Sequence, residues 1–250
     1  MRMKIEINEK FEKYRDFLER IPFEFDNLGE LIYSKRNVLR VVQMGDFRVV
    51  IKEFRKIYLP NRIIYTYFRR SKGERAYRNS VKLISRGIHS PEPVAFINFY
   101  KGKLMHPSYY ICLETDYRPV KEAYSLPFEE SSRIVKAFAD FTAEVQQKGV
   151  FHEDFNDFNI LYARKGTSYD FSMIDTNRMT FCPYSYTRAM NNIRRLNMPT
   201  EVLGLFAGEY AKHTDLSGPK MLNMMVSTRL KHLERAEIRK RIKSVKKIFG

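Results

Sequence analysis

Val150-Phe151-His152-Glu153-Asp154-Phe155-Asn156-Asp157-Phe158-Asn159-Ile160-Leu161 is the stretch on which the reading of this chain turns. A polar His-x-Asp-x-x-x-x-Asn cluster lies between apolar residues. Upstream, residues 131–148 carry Ile134, Val135, Phe138, Phe141, Thr142 and Val145 at helical spacing, and Gly149 ends that helix. Downstream, the segments around 159–162 and 169–174 predict two short strands joined by a Lys165-Gly166 turn. The second strand runs into Asp175, sixteen residues after Asn159. Two carboxylates and a carboxamide are thus set at the ends of apolar elements, which can hold them in fixed positions.

Toward the N-terminus, residues 30–33, 38–42 and 47–54 predict an antiparallel meander with a Gly45-Asp46 turn, and its third strand carries Lys52. A helix is expected over 73–86, with Gly87 as its C-cap. Strands follow at 91–97 and, after a Lys101-Gly102-Lys103 turn, at 109–114. Five strands and one helix therefore precede the polar stretch and its own helix. From about residue 187 the chain reads as helices, the last over 228–249, and no internal repeat is present. The expected fold class is α+β and bilobal: an antiparallel-sheet lobe with one main helix over about 1–115, and a mostly helical lobe over about 116–250.

Lys and Arg number 45 against 29 Asp and Glu, a formal charge of +16, so an anionic partner is expected. Of the two cysteines, Cys112 lies in an apolar strand-like run, and nothing points to a disulfide framework. The first residues are charged and alternating, without the apolar core of a signal peptide, and no apolar stretch is long enough to cross a bilayer. A cytoplasmic protein is expected. His89, His106, His213 and His232 lack the spacing and companions of a metal site, and serine or cysteine nucleophile patterns are absent. No permanently bound metal and no obligate protein partner are expected.

Phosphoryl transfer asks for metal ions bridging phosphates, a cation on the phosphates, and a carboxylate that orients the attacking hydroxyl and accepts its proton. The residues singled out can supply each of these. Asp154 would face the hydroxyl, Asn159 and Asp175 would hold Mg2+, and Lys52 would hold the α- and β-phosphates of ATP. Glu74, early in the helix after Lys52, could pair with that lysine.

In the order Val49-Val50-Ile51-Lys52, His152-x-Asp154-x-x-x-x-Asn159 and Ile174-Asp175, the sequence resembles the protein-kinase-like superfamily. Within it, Glu74-Arg75-Ala76-Tyr77-Arg78-Asn79, Gly87-Ile88-His89-Ser90-Pro91-Glu92-Pro93 and Ile174-Asp175-Thr176-Asn177-Arg178-Met179 resemble the bacterial lipopolysaccharide core kinases that act on Kdo or heptose. The likeness covers roughly residues 30–195. It implies ATP with Mg2+, a glycolipid or saccharide acceptor, and an adenine held by backbone groups near Glu114 and Thr115. The sequence departs from protein kinases in four places: there is no Gly-x-Gly-x-x-Gly loop, Asn156 replaces the usual basic residue, Thr176-Asn177 replaces Phe-Gly, and Ala-Pro-Glu is missing. The hairpin Ser34-Lys35-Arg36-Asn37 stands where the glycine-rich loop would be.

Each element also has a plainer reading. A strand lysine such as Lys52 is usually just solvated, and a glutamate such as Glu74 suits any helix start. His152 stands with the catalytic group by position, yet it reads more as structural than as a base, holding the loop by hydrogen bonds next to Phe151. Asp157 competes as a carboxylate in the loop, although solvation or a turn hydrogen bond accounts for it, and the role of Arg178 is left open. The basic and aromatic stretch 55–72 is either a helical insertion or a contact for an anionic membrane surface, which would place the protein on the inner face of the cell membrane. The charges of the last helix read as a solvated face. Two competing functions remain, a protein kinase acting on Ser, Thr or Tyr, and a catalytically silent basic module binding RNA or anionic membrane. The joint presence of Lys52, Asp154, Asn159 and Asp175 speaks against the silent module, and no nucleic-acid partner is expected.

Overall fold

The computed structural model describes residues 2–55, 65–66, 68–102 and 104–248, excluding the side chains of 240 and of 243 onward. The chain divides into two compact units, Met1–Asp116 with Ser172–Arg178, and Tyr117–Phe171 with Met179–Gly250.

The first unit is built on β1 (Arg2–Ile7), α1 (Arg15–Glu24), β2 (Glu30–Ser34), β3 (Val38–Met44), β4 (Phe47–Phe54), α2 (Lys72–Ile84), β5 (Pro93–Lys101) and β6 (Leu104–Leu113). Its six strands form one sheet in the order β1-β5-β6-β4-β3-β2, with antiparallel pairing throughout. Successive β4 side chains alternate between the faces. Val49 and Ile51 join Leu18, Ile21, Phe25 and Ile111 in a core on the α1 side. Val50 and Phe54 face α2, packing with Ala76, Tyr77, Phe96 and Tyr110. Lys52 stands on that second face, between them in sequence.

This sheet has one strand more than the sequence predicts. The N-terminal segment pairs along β5, Lys4 opposite Asn98 and Ile5 opposite Ile97, and residues 9–27 are helical, with Pro22 inside α1. The alternation of Lys4 and Glu6 with Met3, Ile5 and Ile7 is a strand pattern, but its polar side looks solvated until its partners are known. Those partners are on α2: Glu74 receives Lys4 at 3.4 Å, and Arg78 reaches Glu6 at 2.7 Å.

The second unit comprises β7 (Arg118–Pro119), α3 (Val120–Ala123), α4 (Phe128–Gln147), β8 (Val150–His152), β9 (Ile160–Lys165), β10 (Ser168–Met173), β11 (Met179–Phe181), α5 (Tyr186–Ile193), α6 (Thr200–Ala211) and α7 (Gly218–Ile248), with β10 passing into the Ser172–Arg178 segment of the first unit. Phe138 of α4 is the centre of its aromatic core, with ring centroids 6.0 Å from Phe155, 5.7 Å from Phe171 and 5.4 Å from Phe206. The last helix begins ten residues before its expected start, at Gly218, with Pro219 in its first turn, where the missing N–H costs no intrahelical bond. The short β8–β11 ladder, which periodicity cannot reveal in three-residue strands, flanks the polar loop.

Most of the basic and aromatic stretch 55–72 lies outside the described residues, as do the side chains of Lys240, Lys243, Lys246 and Lys247. Among the described residues no helix is long and apolar enough to cross a membrane.

Gly149 caps α4 at φ +69°, and its carbonyl accepts from Cys182 N–H at 3.0 Å. A Cβ there would lie 2.3 Å from the Cys182 carbonyl oxygen. Left-handed backbone costs a non-glycine residue about 1–2 kcal/mol, and the clash adds about 1–3. Gly149→Ala is therefore expected to lower unfolding free energy by roughly 2–5 kcal/mol, read from urea denaturation; a loss within 0.5 kcal/mol, the size of an ordinary surface substitution, would contradict the packing described.

Candidate functional site

In the first unit the sheet register dictates which side chains share a row on the α2 face. Lys52, Tyr110, Phe96 and Glu6 stand in one cross-strand row, and Phe54, Ser108, Asn98 and Lys4 in the next. Lys52 donates to Asp175 Oδ1 at 2.5 Å. Its ammonium also lies 5.3 Å from the Phe54 ring centroid.

The expected pairing of Lys52 with Glu74 is not made. Glu74 is buried and takes Arg78 at 3.1 Å, Lys4 at 3.4 Å, Arg70 at 3.5 Å and Asn98 Nδ2 at 3.4 Å. The reason is lateral position. The start of α2 is pinned toward β6 and β5 by Gly73 N–H donating to Ser108 Oγ, and β5 lies two strand spacings, roughly 10 Å, from β4. The edge strand β1 that supplies Lys4 is the element sequence reasoning missed.

Asp175 adopts φ +55°, and among the described residues it is the one non-glycine at positive φ. The segment around it is tied to α2 and the turn after it. Thr176, buried, donates to Ala76 O at 3.0 Å and meets Ser80 Oγ at 2.9 Å, while Asn79 Nδ2 donates to Thr176 O at 2.6 Å. Met173 N–H donates to His89 O at 3.0 Å, and Ser90 Oγ donates to Met173 O at 2.9 Å. Asn177 Nδ2 donates to Asp175 Oδ1 at 2.5 Å. The Thr176-Asn177 pair, a departure from Phe-Gly, thus anchors the segment by hydrogen bonds.

Lys72, which sequence reading passed over within a basic run, joins this group. Its ammonium lies 5.8 Å from the Phe54 ring centroid. Burial, followed by the nearby Arg36, Arg178 and Arg75 charges, lowers its pKa to about 8 against the opposing pull of Asp175. Arg36 comes from the Ser34–Asn37 hairpin and Arg178 from the end of the Asp175 segment. Lys52 is thus paired with Asp175, while Lys72 feels Asp175 and the three arginines together. Glu114 N–H is engaged by Arg48 O at 2.9 Å and its carboxylate by the Arg48 guanidinium, so an adenine contact at Glu114 would fall to its carbonyl.

In the second unit the polar loop is held from within. Asp154 N–H donates to His152 Nδ1 at 3.0 Å, and His152 is fully buried. With Nδ1 an acceptor, His152 supports the loop and is not placed as a base, which corrects its catalytic reading. Asn159 Nδ2 and Asn156 Nδ2 both donate to Asp154 O, at 2.9 and 3.0 Å, and Asn156 Oδ1 accepts from Phe158 N–H and Asn159 N–H. Because the Asn159 amide nitrogen is used inside the loop, its Oδ1 is the atom left to meet a cation. Asp154 Oδ1 accepts from Arg195 Nη1 at 2.5 Å, a partner on the far side of α5 that no sequence motif marked.

Asp157 is buried rather than solvated, with both carboxylate oxygens accepting from Asn197 N–H at 3.0 Å. Burial raises its pKa, opposed by that N–H and by Lys121 and Arg229. Asp157 positions the segment after α5. Among the described residues no group of three or more His, Cys, Asp or Glu side chains could hold a metal ion.

No protein-family model matches the sequence, and no curated protein sequence matches it. Solved structures do. The chain aligns with WaaP in complex with acyl carrier protein over 94% of its own length and 98% of that chain, at TM-score 0.62 and 14% identity. It aligns with the Rio2 kinase-ADP/Mg2+-phosphoaspartate complex from Chaetomium thermophilum over 91% of its length and 75% of that chain, at TM-score 0.50 and 18% identity. This is the protein-kinase-like fold. The sheet, α2 and the loop carrying Asp154 are all present in this chain.

Replacing Asp157 with Ala leaves the partly buried Asn197 N–H without its acceptor, an expected loss of about 1 kcal/mol. The raised pKa has a further consequence. Below the ordinary carboxylate range both folded and unfolded states are protonated; as pH rises the unfolded state ionises first, so stability falls until the folded-state pKa is passed. Asp157→Asn should lack that fall, seen as a flatter urea midpoint against pH; an unchanged slope would contradict the assignment.

Proposed function

We propose that this protein is an ATP-dependent phosphotransferase that phosphorylates a sugar hydroxyl of the lipopolysaccharide inner core, on Kdo or heptose. The observation that carries the phosphotransferase reading is the first unit's pairing of Lys52 with Asp175, beside a half-buried Lys72 on which Arg36, Arg178 and Arg75 also bear. Like charges so gathered are costly unless a polyanion answers them. The acceptor class rests on the motif resemblance.

Asp175 and Asn159 offer hard oxygen donors, and Mg2+ is ordinarily held by one or two such ligands with substrate phosphates completing its shell. The donor set fits. When bound, Mg2+ would neutralise charge developing on the β- and γ-phosphates. Lys52 and Lys72 are assigned to the phosphates, and the carbonyl of Glu114 with Thr115 to adenine. Asp154 orients the acceptor hydroxyl. As the acceptor oxygen bonds to the γ-phosphorus, the bond from that phosphorus to the β–γ bridging oxygen breaks, ADP leaves, and the hydroxyl proton passes to Asp154 late in a loose transition state. His152 and Asn156 act only by holding the loop that carries Asp154. A protein substrate is disfavoured because Asn156 is used up in loop hydrogen bonds. The acceptor's place in a glycolipid agrees with work at the inner face of the cell membrane.

Asp154→Ala is expected to abolish Mg2+-dependent phosphate transfer from ATP to a Kdo-containing lipid acceptor while ADP still binds; Asp175→Ala should lose both. Equal loss of ADP affinity in Asp154→Ala would count against its role. Lys72 yields an independent check. Phosphates should draw its pKa upward, so ADP–Mg2+ binding takes up a proton near pH 8 and weakens as pH rises above that value. Calorimetry at pH 8 in buffers of different ionisation enthalpy should show that uptake in the wild type and not in Lys72→Met. Identical uptake in both would remove Lys72 from the phosphate site.

A further inference from the structure

Within the second unit, α5 and α7 enclose a cavity of about 420 Å3 whose lining includes Arg194, Arg195, Lys231, His232, Arg235 and Arg239. The remaining lining side chains are neutral, and no carboxylate is among them. On α7 the basic residues fall at positions 231, 232, 235 and 239, so they share one side of the helix, and that side meets Arg194 and Arg195 from the segment ending α5. A solvated charged face spreads its cations outward; here two elements bring five permanent cations to one concave surface.

Two further observations point to a missing anion. Arg194 donates from Nη1 to Asn191 Oδ1 at 2.8 Å, yet its buried Nε has no hydrogen-bond partner. A buried donor without an acceptor is a cost that a bound oxyanion would relieve. His232 also has a lowered pKa, first from burial and then from Arg194, Arg195 and Arg239, which marks a positive potential at that position. Among the described residues, Lys231, Arg235 and Arg239 have no ion-pair partner. The cavity is connected to chemistry by one side chain, because Arg195 both lines it and holds Asp154 Oδ1 at 2.5 Å.

We propose that this cavity is a recognition subsite for a phosphate monoester carried by the acceptor, and that the bound phosphate competes with Asp154 for Arg195. The inference rests on the phosphotransferase reading for its acceptor but not for its chemistry, which is that of five cations and a dianion. Bidentate guanidinium–phosphate pairing draws Arg195 toward the cavity. Asp154 Oδ1 is then released from Arg195, so a correctly bound acceptor frees the carboxylate oxygen to take the hydrogen bond of the acceptor hydroxyl. An alcohol lacking the phosphate leaves Arg195 on Asp154. The same contact thus selects the acceptor and positions the base.

The test is a calorimetric titration of the full-length protein with inorganic phosphate, without nucleotide or Mg2+. Saturable binding is expected, at least tenfold weaker in Arg235→Gln/Arg239→Gln, whose exposed side chains can be changed without disturbing the core, and unchanged in Lys52→Ala. By linkage, Asp154→Asn should bind phosphate at least threefold more tightly, since Arg195 is released. Absence of saturable binding, or binding lost in Lys52→Ala and kept in the double variant, overturns the subsite. Unaltered affinity in Asp154→Asn overturns the competition for Arg195. Flotation with phosphatidic acid in phosphatidylcholine vesicles separates the sources. Phosphate binding with no vesicle binding supports a saccharide phosphate, and vesicle binding that phosphate displaces supports a lipid phosphate monoester. Vesicle binding without saturable phosphate binding overturns the pocket. Failure of these titrations leaves ADP–Mg2+ binding untouched, so the two readings fail separately.

Discussion

Asp175 holds a left-handed backbone conformation that an aspartate adopts at a cost of about 1–3 kcal/mol, and its carboxylate is gripped by Lys52 and Asn177. That conformation persists because the neighbouring residues leave it no alternative. Thr176 is locked onto α2 by hydrogen bonds from both its hydroxyl and its carbonyl, and Met173 is clamped by His89 and Ser90. Each bond contributes about 1 kcal/mol net, so together they exceed the strain. The position of Asp175 is thus a property of α2 and the turn behind it as much as of its own segment. The sheet face that receives it is arranged by the β4 register, which puts Lys52 on the α2 side.

The excess of positive charge is not spread evenly. In the first unit, burial and neighbouring arginines hold Lys72 at a depressed pKa beside Asp175. In the second, Arg194 and Arg195 face the basic side of α7 across a cavity without a carboxylate. Both arrangements carry an electrostatic cost that a bound anion would relieve, a route by which a chain of high net charge can gain specificity. The two carboxylates central to the proposed chemistry are each held by a cation, Lys52 on Asp175 and Arg195 on Asp154.

Much of the fold could be read from local patterns. The β2–β4 meander, α2 and α4 follow from alternation and helical periodicity, and Gly149 marks a chain reversal because its positive φ admits little else. The first strand and α1 escaped because β1 shows its polar side to α2 and α1 contains Pro22. Glu74 pairs with Arg78, Lys4, Arg70 and Asn98 in place of Lys52, and Lys4 belongs to that unseen strand. His152 already read more as a support than as a base, and the structure supplies the physical form of that support: a buried ring whose Nδ1 accepts from Asp154 N–H.

By itself the sequence determined the chemical inventory and its order: a strand lysine, a loop with Asp154 and Asn159, and a strand running into Asp175. Those depend on spacing along a few residues, where backbone geometry leaves little freedom. The tertiary structure decided which charges meet. Lys52 on Asp175, Arg195 on Asp154, Lys4 on Glu74 and the cations of α7 against those after α5 join residues far apart in the chain. Any of the many basic side chains could have filled those places as far as charge alone is concerned. Sheet register and helix packing select among them, because a pairing that depends on a few ångströms is set by the elements that carry the side chains.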